Sequence, residues 1–210
     1  MIVQAMFKKQ LKPYHHQDLR ESLLQAAVQL IGEVGVASFT LREVARRAGV
    51  SHNAPYRHFQ DREELLGAVA EQGFRELTEA MTIASTLATG PLEQMRATGL
   101  AYVHFALRRP QHFSAMFEAP VDACEQTKGP GGEAFGLLVR LVECCQQAGL
   151  MEHGEAYQLA LVNWSMVHGI AKLAIAKRLP FETTEAVLKF AQFAGEKCLV
   201  SGTEKLLGRD

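Results

Sequence analysis

One short stretch of the sequence combines side chains that can read bases with side chains that can hold phosphate. Asn53 can make two hydrogen bonds to an adenine edge, the Ala54 methyl can contact a thymine methyl, and His52 lies beside both. Thr40 and Ser51 fall at the expected starts of two helices, where free backbone N–H groups attract anions. The chemistry that these residue types support is recognition of double-stranded DNA.

Further polar side chains flank this group. Tyr56 and His58 offer hydrogen-bond donors, and Arg42, Arg57 and Arg62 supply positive charge. Each of these residues also has a simpler interpretation, as a solvated surface position, a helix cap or a packing contact. The sequence therefore predicts DNA contact for the set as a whole, while any single residue in it can instead have only a structural role.

Two short helices are needed to position these side chains. Residues 40–59 read TLREVARRAGVSHNAPYRHF. Thr40 with Glu43 has the pattern of a capping box and predicts a helix to about residue 48, while Ser51 predicts the start of another helix over roughly 52–58. Gly49 falls in the turn between them. The pattern predicts a helix-turn-helix, whose second helix would present its first residues to the major groove.

The rest of the sequence predicts an all-α protein with about nine helices, because apolar residues recur at steps of three and four and alternating strand patterns are absent. We expect a flexible arm over 1–15, a helix-turn-helix DNA-binding domain over 16–62, and a helical domain over 63–210. The helix that begins after Asp61 would connect the two domains, with Gly67 and Gly73 as points where it can bend.

Charge is distributed unevenly along the chain. The first 60 residues carry eight basic and four acidic side chains, whereas residues 61–210 carry 14 basic and 19 acidic ones. The N-terminal third therefore suits a polyanionic partner and the remainder does not. The uncharged stretch 156–171 is shorter than the ~20 apolar residues of a bilayer span, which argues against a membrane partner and predicts a helix packed on its own domain and on a second copy.

No pattern in the sequence indicates catalysis, a metal or a cofactor. The four cysteines include no CxxC pair, the eight histidines show no metal-binding spacing, and no nucleophile–base pair stands out. We expect a reduced, cytoplasmic protein that is not an enzyme. Adjacent Cys144 and Cys145 can be either a thiol sensor or ordinary members of an amphipathic helix, and the sequence favours the second.

A second candidate site is an apolar pocket for a small molecule in the C-terminal domain. Such sites are mostly apolar with few polar groups, and ordinary core packing is the alternative for every candidate. For Trp164 and His168, four residues apart on one helical face, we favour a packed tryptophan beside a hydrogen-bonded histidine over direct ligand contact. The candidates for the lining are Met95, Tyr102, Phe105, Met116, Phe117, Phe135, Trp164 and His168.

Residues 17–66 resemble the DNA-binding domain of the TetR family of bacterial transcriptional regulators. The matching segments are, in order, LLQAAVQLIGEVG, FTLREVARRAGVS and APYRHFQDREELL. The resemblance implies that the first three helices bind DNA, the fourth leads to a helical effector-binding body, and the last two form a four-helix bundle with a second copy. Residues 164–169, WSMVHG, are similar to the Trp-x-x-x-His-Gly signature of the WHG type of TetR C-terminal domain.

Two classes of function remain at this point. The leading hypothesis is a ligand-responsive transcriptional regulator, with repression as the expected mode, that binds a partly palindromic operator as a homodimer and is released by a small, largely apolar effector. The alternative is a helical small-molecule carrier or interaction module without DNA binding. The uneven charge, together with Asn53, Tyr56 and Arg57, favours the first, because a carrier has no need of them.

Overall fold

The computed structural model describes residues 16–118 and 130–206, and this part of the chain is entirely helical. The predicted all-α class is confirmed, and the nine expected helices are close to the eight α-helices and one 3₁₀ helix observed in the described ranges. The predicted arm over 1–15 lies outside the described residues. The α-helices are α1 (His16–Val34), α2 (Leu41–Arg47), α3 (Arg62–Leu87), α4 (Pro91–Arg108), α5 (Pro110–Glu118), α6 (Pro130–Gln147), α7 (Ala156–Ile175) and α8 (Thr184–Leu206), and the 3₁₀ helix is Pro55–Arg57.

The N-terminal helices enclose a small apolar core. Leu23 of α1, Phe39, Val44 of α2, Phe59 and Leu65 of α3 are all almost fully buried within it. Burial of such large side chains contributes about 1.5–3 kcal/mol each relative to exposure, which is what holds these short helices together. Helix α2 has seven residues and is too short to be stable without this packing.

The turn after α2 is set by glycine, as the sequence predicts. Gly49 has a φ of 70°, a conformation that L side chains rarely adopt. Its N–H donates to the carbonyl of Arg46, and the Val50 N–H donates to the carbonyl of Ala45, at 3.3 and 3.0 Å. This pair of bonds closes the helix in a Schellman motif and turns the chain toward the residues that follow.

Helix α3 runs from the N-terminal core into the body of the protein. Asp61 caps its start by accepting the Glu64 N–H at 2.8 Å, and the helix continues for 26 residues. Helix α3 is continuous through Gly67 and Gly73, the two points where we predicted that it can bend, and Gly73 also has a packing role. A Cβ at Gly73 would lie 2.6 Å from Met116 Sδ of α5, whereas a Cβ at Gly67 would meet nothing within 4 Å.

The C-terminal body places α4 at its centre, against α3, α6, α7 and α8. A second apolar cluster joins α4, α6 and α7, and it contains Met95, Val142 and Cys145. Cys145 is fully buried and Cys144 is exposed, which agrees with a packing role for the first. Within the described ranges, none of the helices has the length and hydrophobicity to cross a bilayer.

Candidate nucleic-acid interface and ligand cavity

The segment after Gly49 differs from the predicted recognition helix. We predicted a helix over roughly 52–58 capped by Ser51, but residues 52–54 form a turn and only Pro55–Arg57 is helical, as a 3₁₀ helix. The Ser51 carbonyl accepts the Ala54 N–H at 2.9 Å, and the 3₁₀ helix has no side-chain cap. Pro55 explains the difference, because it lacks the N–H that an α-helix would bond back to Ser51.

This segment nevertheless exposes half of the predicted base-reading and phosphate-binding groups. Ser51, His52, Asn53 and Arg57 are exposed, and Tyr56 is 53% exposed. Because these side chains are already exposed, they can contact a nucleic acid without any rearrangement of the N-terminal core. Five of the ten predicted DNA-contact residues are thus exposed within one short segment.

Ala54 and His58 lie partly behind this surface. Ala54 packs against the N-terminal core, where Pro55 is also buried, and His58 is half-buried beside Phe59 with ring centroids 6.5 Å apart. These positions fix the exposed segment to the domain. Their side chains are less available to a partner than those of Asn53 and Tyr56.

The start of α2 supplies the second part of the surface. The Thr40 hydroxyl accepts the Glu43 N–H at 3.3 Å and donates to Glu43 Oε2 at 2.8 Å, while the Thr40 N–H donates to the same carboxylate oxygen at 2.8 Å. This confirms the predicted capping box. Arg42 and Arg46 are exposed on the same helix and supply positive charge beside it.

Two arginines that the sequence places near this surface are committed to contacts within the domain. Arg62 was predicted to contact DNA, but its Nη1 donates to the carbonyl of Val36 at 2.8 Å, its Nη2 pairs with Glu63 at 2.8 Å, and its guanidinium lies 5.6 Å from the Phe39 ring. Arg47 forms a two-pronged ion pair with Glu33 of α1 at 2.5 and 2.6 Å, which lowers the pKa of Glu33. Both therefore have structural roles.

A cavity of about 580 Å³ lies within the body, bounded by α3, α4, α5, α6, α7 and α8. Its walls are mainly apolar, and its size is in the range of sites for drug-sized molecules. The predicted residues that line it are Met95, Tyr102, Phe117, Phe135 and Trp164. The sequence thus identified five of its lining residues.

Three predicted lining residues lie elsewhere. Phe105 is on the other face of α4, at a shallow groove beside Ile83 and His104. Met116 is fully buried and is used against Gly73. His168 does not line the cavity but contacts Tyr102 and Phe117, which do. Helical periodicity alone could not separate these positions, because α4 and α5 are packed on more than one side.

Trp164, Tyr102 and His168 form a hydrogen-bonded chain across the cavity wall. Trp164 Nε1 donates to the Tyr102 hydroxyl at 3.2 Å, and that hydroxyl lies 2.8 Å from His168 Nδ1. Because indole can only donate, the chain is satisfied when the Tyr102 hydroxyl donates to Nδ1 and the proton of neutral His168 is on Nε2. Burial raises the pKa of Tyr102 and lowers that of His168, so both are neutral near pH 7.

Helix α5 connects this wall to the N-terminal helices. The Phe117 ring lies 4.6 Å from the His168 ring and 5.5 Å from the Phe74 ring of α3, between centroids. At the other end of α5, a Cβ at Gly32 of α1 would lie 3.0 Å from Gln111 Nε2. Phe117 of α5 thus packs directly on α3, and α1 packs on both of these helices. A displacement of Phe117 in the cavity would therefore act on the helices that support α1.

The sequence did not single out several residues of the cavity. Phe74, Leu77 and Met81 of α3 belong to its lining, as does the positively charged Arg96 of α4. Arg96 stands among the polar positions of an amphipathic helix, where a cation is ordinary, so no signal distinguishes it in the sequence. In the described part of the chain, no group of three or more possible ligands is placed to hold a metal ion.

Comparisons with protein families match both halves of the chain. Residues 23–69 match the family described as bacterial regulatory proteins, tetR family, and residues 95–192 match the tetracyclin repressor-like C-terminal domain. A curated relative, the HTH-type transcriptional regulator BetI of Stenotrophomonas maltophilia, is 36% identical over 93 residues, which are 44% of this chain and 45% of the relative. The match thus spans less than half of the relative's length.

Solved structures match over nearly the whole chain. A Rhodococcus sp. RHA1 protein described as having unknown function is 37% identical, with a TM-score of 0.75 over 90% of this chain and 98% of that one. A regulatory protein in the tetR family, also from Rhodococcus RHA1, is 19% identical, with a TM-score of 0.73 over 87% and 95% of the two chains. The second match shows a shared fold.

Proposed function

Because this chain belongs to the TetR family of bacterial regulatory proteins, we propose that it is a ligand-responsive transcriptional repressor. It binds a partly palindromic operator as a homodimer, and a small, largely apolar effector releases it. The observation that carries the proposal is the exposed segment of Ser51, His52, Asn53, Tyr56 and Arg57, placed beside the capped start of α2.

The exposed segment has the parts that a major-groove contact needs. The side chains of His52 and Asn53 can reach base edges, and Tyr56 and Arg57 can hold the backbone of the DNA. Thr40 and Arg42 add a phosphate contact at the start of α2. We keep Ala54, His58 and Arg62 as positions that support this surface rather than as its main contacts, because each is partly buried.

The dimer is proposed through α7 and α8. Val162, Gly169 and Leu173 recur at steps of seven and four residues, so they share one face of α7. Val162 is 62% exposed, Leu173 46%, and Phe193 of α8 54%. Large apolar side chains exposed together on neighbouring helices are typical of a protein–protein interface. Such a dimer would place two copies of the segment around Asn53 on one side, roughly 34–36 Å apart.

Release follows from packing between the cavity and the DNA-binding helices. An effector in the cavity contacts Phe117 and Phe74, and these belong to the two helices on which α1 rests. The effector shifts the population toward a state in which the two DNA-binding domains are wrongly spaced. A molecule that binds both states equally would have no effect, however tightly it binds.

Selection of bound fragments from genomic DNA, using the purified full chain, tests the proposal. We expect enrichment of a partly symmetric sequence, with binding that weakens steeply with salt because counterions are released. The matched variant is Asn53→Ala, since Asn53 is exposed and its loss leaves the core intact. Retention of a small molecule without any enrichment of DNA would instead support the carrier alternative.

A further inference from the structure

Arg96, one of two arginines that line the cavity, indicates the chemistry of the ligand. Arg96 lines the cavity from α4, and its Nε is buried with no hydrogen-bond partner among the described residues. Its Nη1 is paired with Glu93 Oε1 at 2.5 Å. A buried charged donor without an acceptor is unfavourable, so a ligand that supplies the acceptor gains binding free energy.

The free donor lies on the edge of the guanidinium that suits a carboxylate. Nε and the adjacent Nη2 form the side edge of the group, and two parallel hydrogen bonds from an arginine edge match the two oxygens of a carboxylate. Glu93 occupies Nη1 and leaves this edge unused. We propose that the cavity selects effectors that carry a single carboxylate on an apolar body, and that Arg96 binds the carboxylate. The inference rests on the proposed function, in that the cavity is its effector site.

Three other donors of the wall are already used within the protein. The Thr98 hydroxyl donates to the carbonyl of Gln94 at 2.7 Å, and Asn163 Nδ2 donates to the carbonyl of Leu159 at 2.8 Å. Trp164 Nε1 is used by Tyr102. Three of the donors around the cavity are therefore occupied by the protein itself, whereas Arg96 Nε has no partner among the described residues.

The charges at the rim do not alter this conclusion. Arg140 and Glu143 are both exposed, lie three residues apart on α6, and have opposite sign. Their fields largely offset each other, and both groups are screened by solvent. Glu93 offsets part of the charge of Arg96, so the preference for an anion over a cation depends on the Nε–Nη2 edge that Glu93 leaves unpaired.

The remaining walls select against further polar groups. Leu77, Met81, Phe117 and Phe135 are apolar, and a hydroxyl or second charge placed against them would lose its hydration without a partner. The ligand class is therefore a monocarboxylate with a chain or ring system that fills the apolar space. A sugar, a diacid or a quaternary amine does not fit this arrangement.

The single tryptophan of the chain gives a direct assay. Trp164 lines the cavity, so its fluorescence reports occupancy. The probes are decanoate, decanol and decyltrimethylammonium, titrated into the full chain below their micellar concentrations. We expect decanoate to bind at least about tenfold more tightly than decanol, because a charge-assisted pair is added, and the ammonium probe to bind most weakly.

The key variant is Arg96→Gln, with Arg108→Gln as its matched control. Arg108 lies on the same helix and outside the cavity, at the shallow groove near Phe105. We expect Arg96→Gln to weaken decanoate binding roughly tenfold and to change decanol binding less than twofold, while Arg108→Gln changes neither. If Arg96→Gln does not fold, Arg96→Lys takes its place and should reduce the preference for decanoate without abolishing it.

Three results would overturn the inference: equal binding of decanoate and decanol, decanoate binding that is indifferent to both Arg96 variants, or no response of Trp164 to decanoate. These results are independent of DNA. Normal operator binding with no preference for decanoate would end this inference and leave the repressor proposal standing. Decanoate selectivity without DNA binding would end the repressor proposal and leave this inference standing.

Discussion

Two glycines of α3 allow one packing contact to be measured in isolation. Replacing either Gly67 or Gly73 with alanine improves the helix propensity of α3 by the same amount, about 1 kcal/mol. At Gly67 the new methyl group meets nothing within 4 Å. At Gly73 it would lie 2.6 Å from Met116 Sδ, 2.9 Å from Met116 Cγ and 3.2 Å from His112 Cβ. The two variants therefore differ only in this contact with α5.

The size of the effect follows from the burial of the neighbour. Met116 is fully buried, so its side chain cannot move into solvent to make room. Overpacking of a well-packed core costs about 1–3 kcal/mol. We expect Gly67→Ala to stabilise the protein and Gly73→Ala to be less stable than Gly67→Ala by that cost of about 1–3 kcal/mol.

Urea unfolding followed by circular dichroism measures this difference. All proteins must be compared at one concentration, because the proposed dimer would make the midpoint concentration-dependent. The double variant Gly73→Ala/Met116→Ala provides the cross-check, since removal of the sulfur should relieve the clash and give a less than additive loss. Equal shifts of the midpoint for Gly67→Ala and Gly73→Ala would show that α5 does not pack on α3 as described.

The remaining predictions concern the DNA surface, the hydrogen-bonded wall and pH. Asn53→Ala should lower discrimination between the selected operator and its single-base variants by about 1–3 kcal/mol, measured by competition gel shift. Tyr102→Phe should lower the free energy of unfolding by about 1–3 kcal/mol, because Trp164 Nε1 and His168 Nδ1 lose their partner; an unchanged urea midpoint would contradict this. Burial lowers the pKa of His112 and His168 below 6.5, so the unfolded chain takes up protons first as pH falls. Stability should be flat above pH 7 and decline below about pH 6.5, with a smaller decline in His112→Gln; a flat profile to pH 5 would refute this.

Local signals in the sequence predicted the parts of the fold that local physics determines. The capping box of Thr40 and Glu43 and the left-handed turn at Gly49 depend on residues within four positions of each other, and both are as predicted. Helical periodicity was sufficient for the all-α class. The exposure of Asn53 and Tyr56 was predictable in part, because the polar residues around them lie in one short segment.

Tertiary contacts determined what the sequence could not show. One difference is local: the predicted helix over 52–58 contains Pro55, and the N–H that proline lacks leaves a turn followed by a 3₁₀ helix. Arg62 was assigned to DNA because of its charge, and its contacts with Val36 and Phe39 depend on residues more than 20 positions away. Phe105 and Trp164 are equally apolar in the sequence, and only the packing of α4 and α7 decides which one lines the cavity.

The central claim is that the segment around Asn53 reads the major groove. Replacing single purines of the selected operator with 7-deazapurines tests it, since this change removes the N7 acceptor of the major groove and leaves the minor groove intact. We predict a loss of roughly tenfold or more in affinity at one position in each half-site, with no further loss at that position in Asn53→Ala. Affinity that is indifferent to every 7-deazapurine but sensitive to inosine for guanosine, which alters the minor groove, would contradict the account.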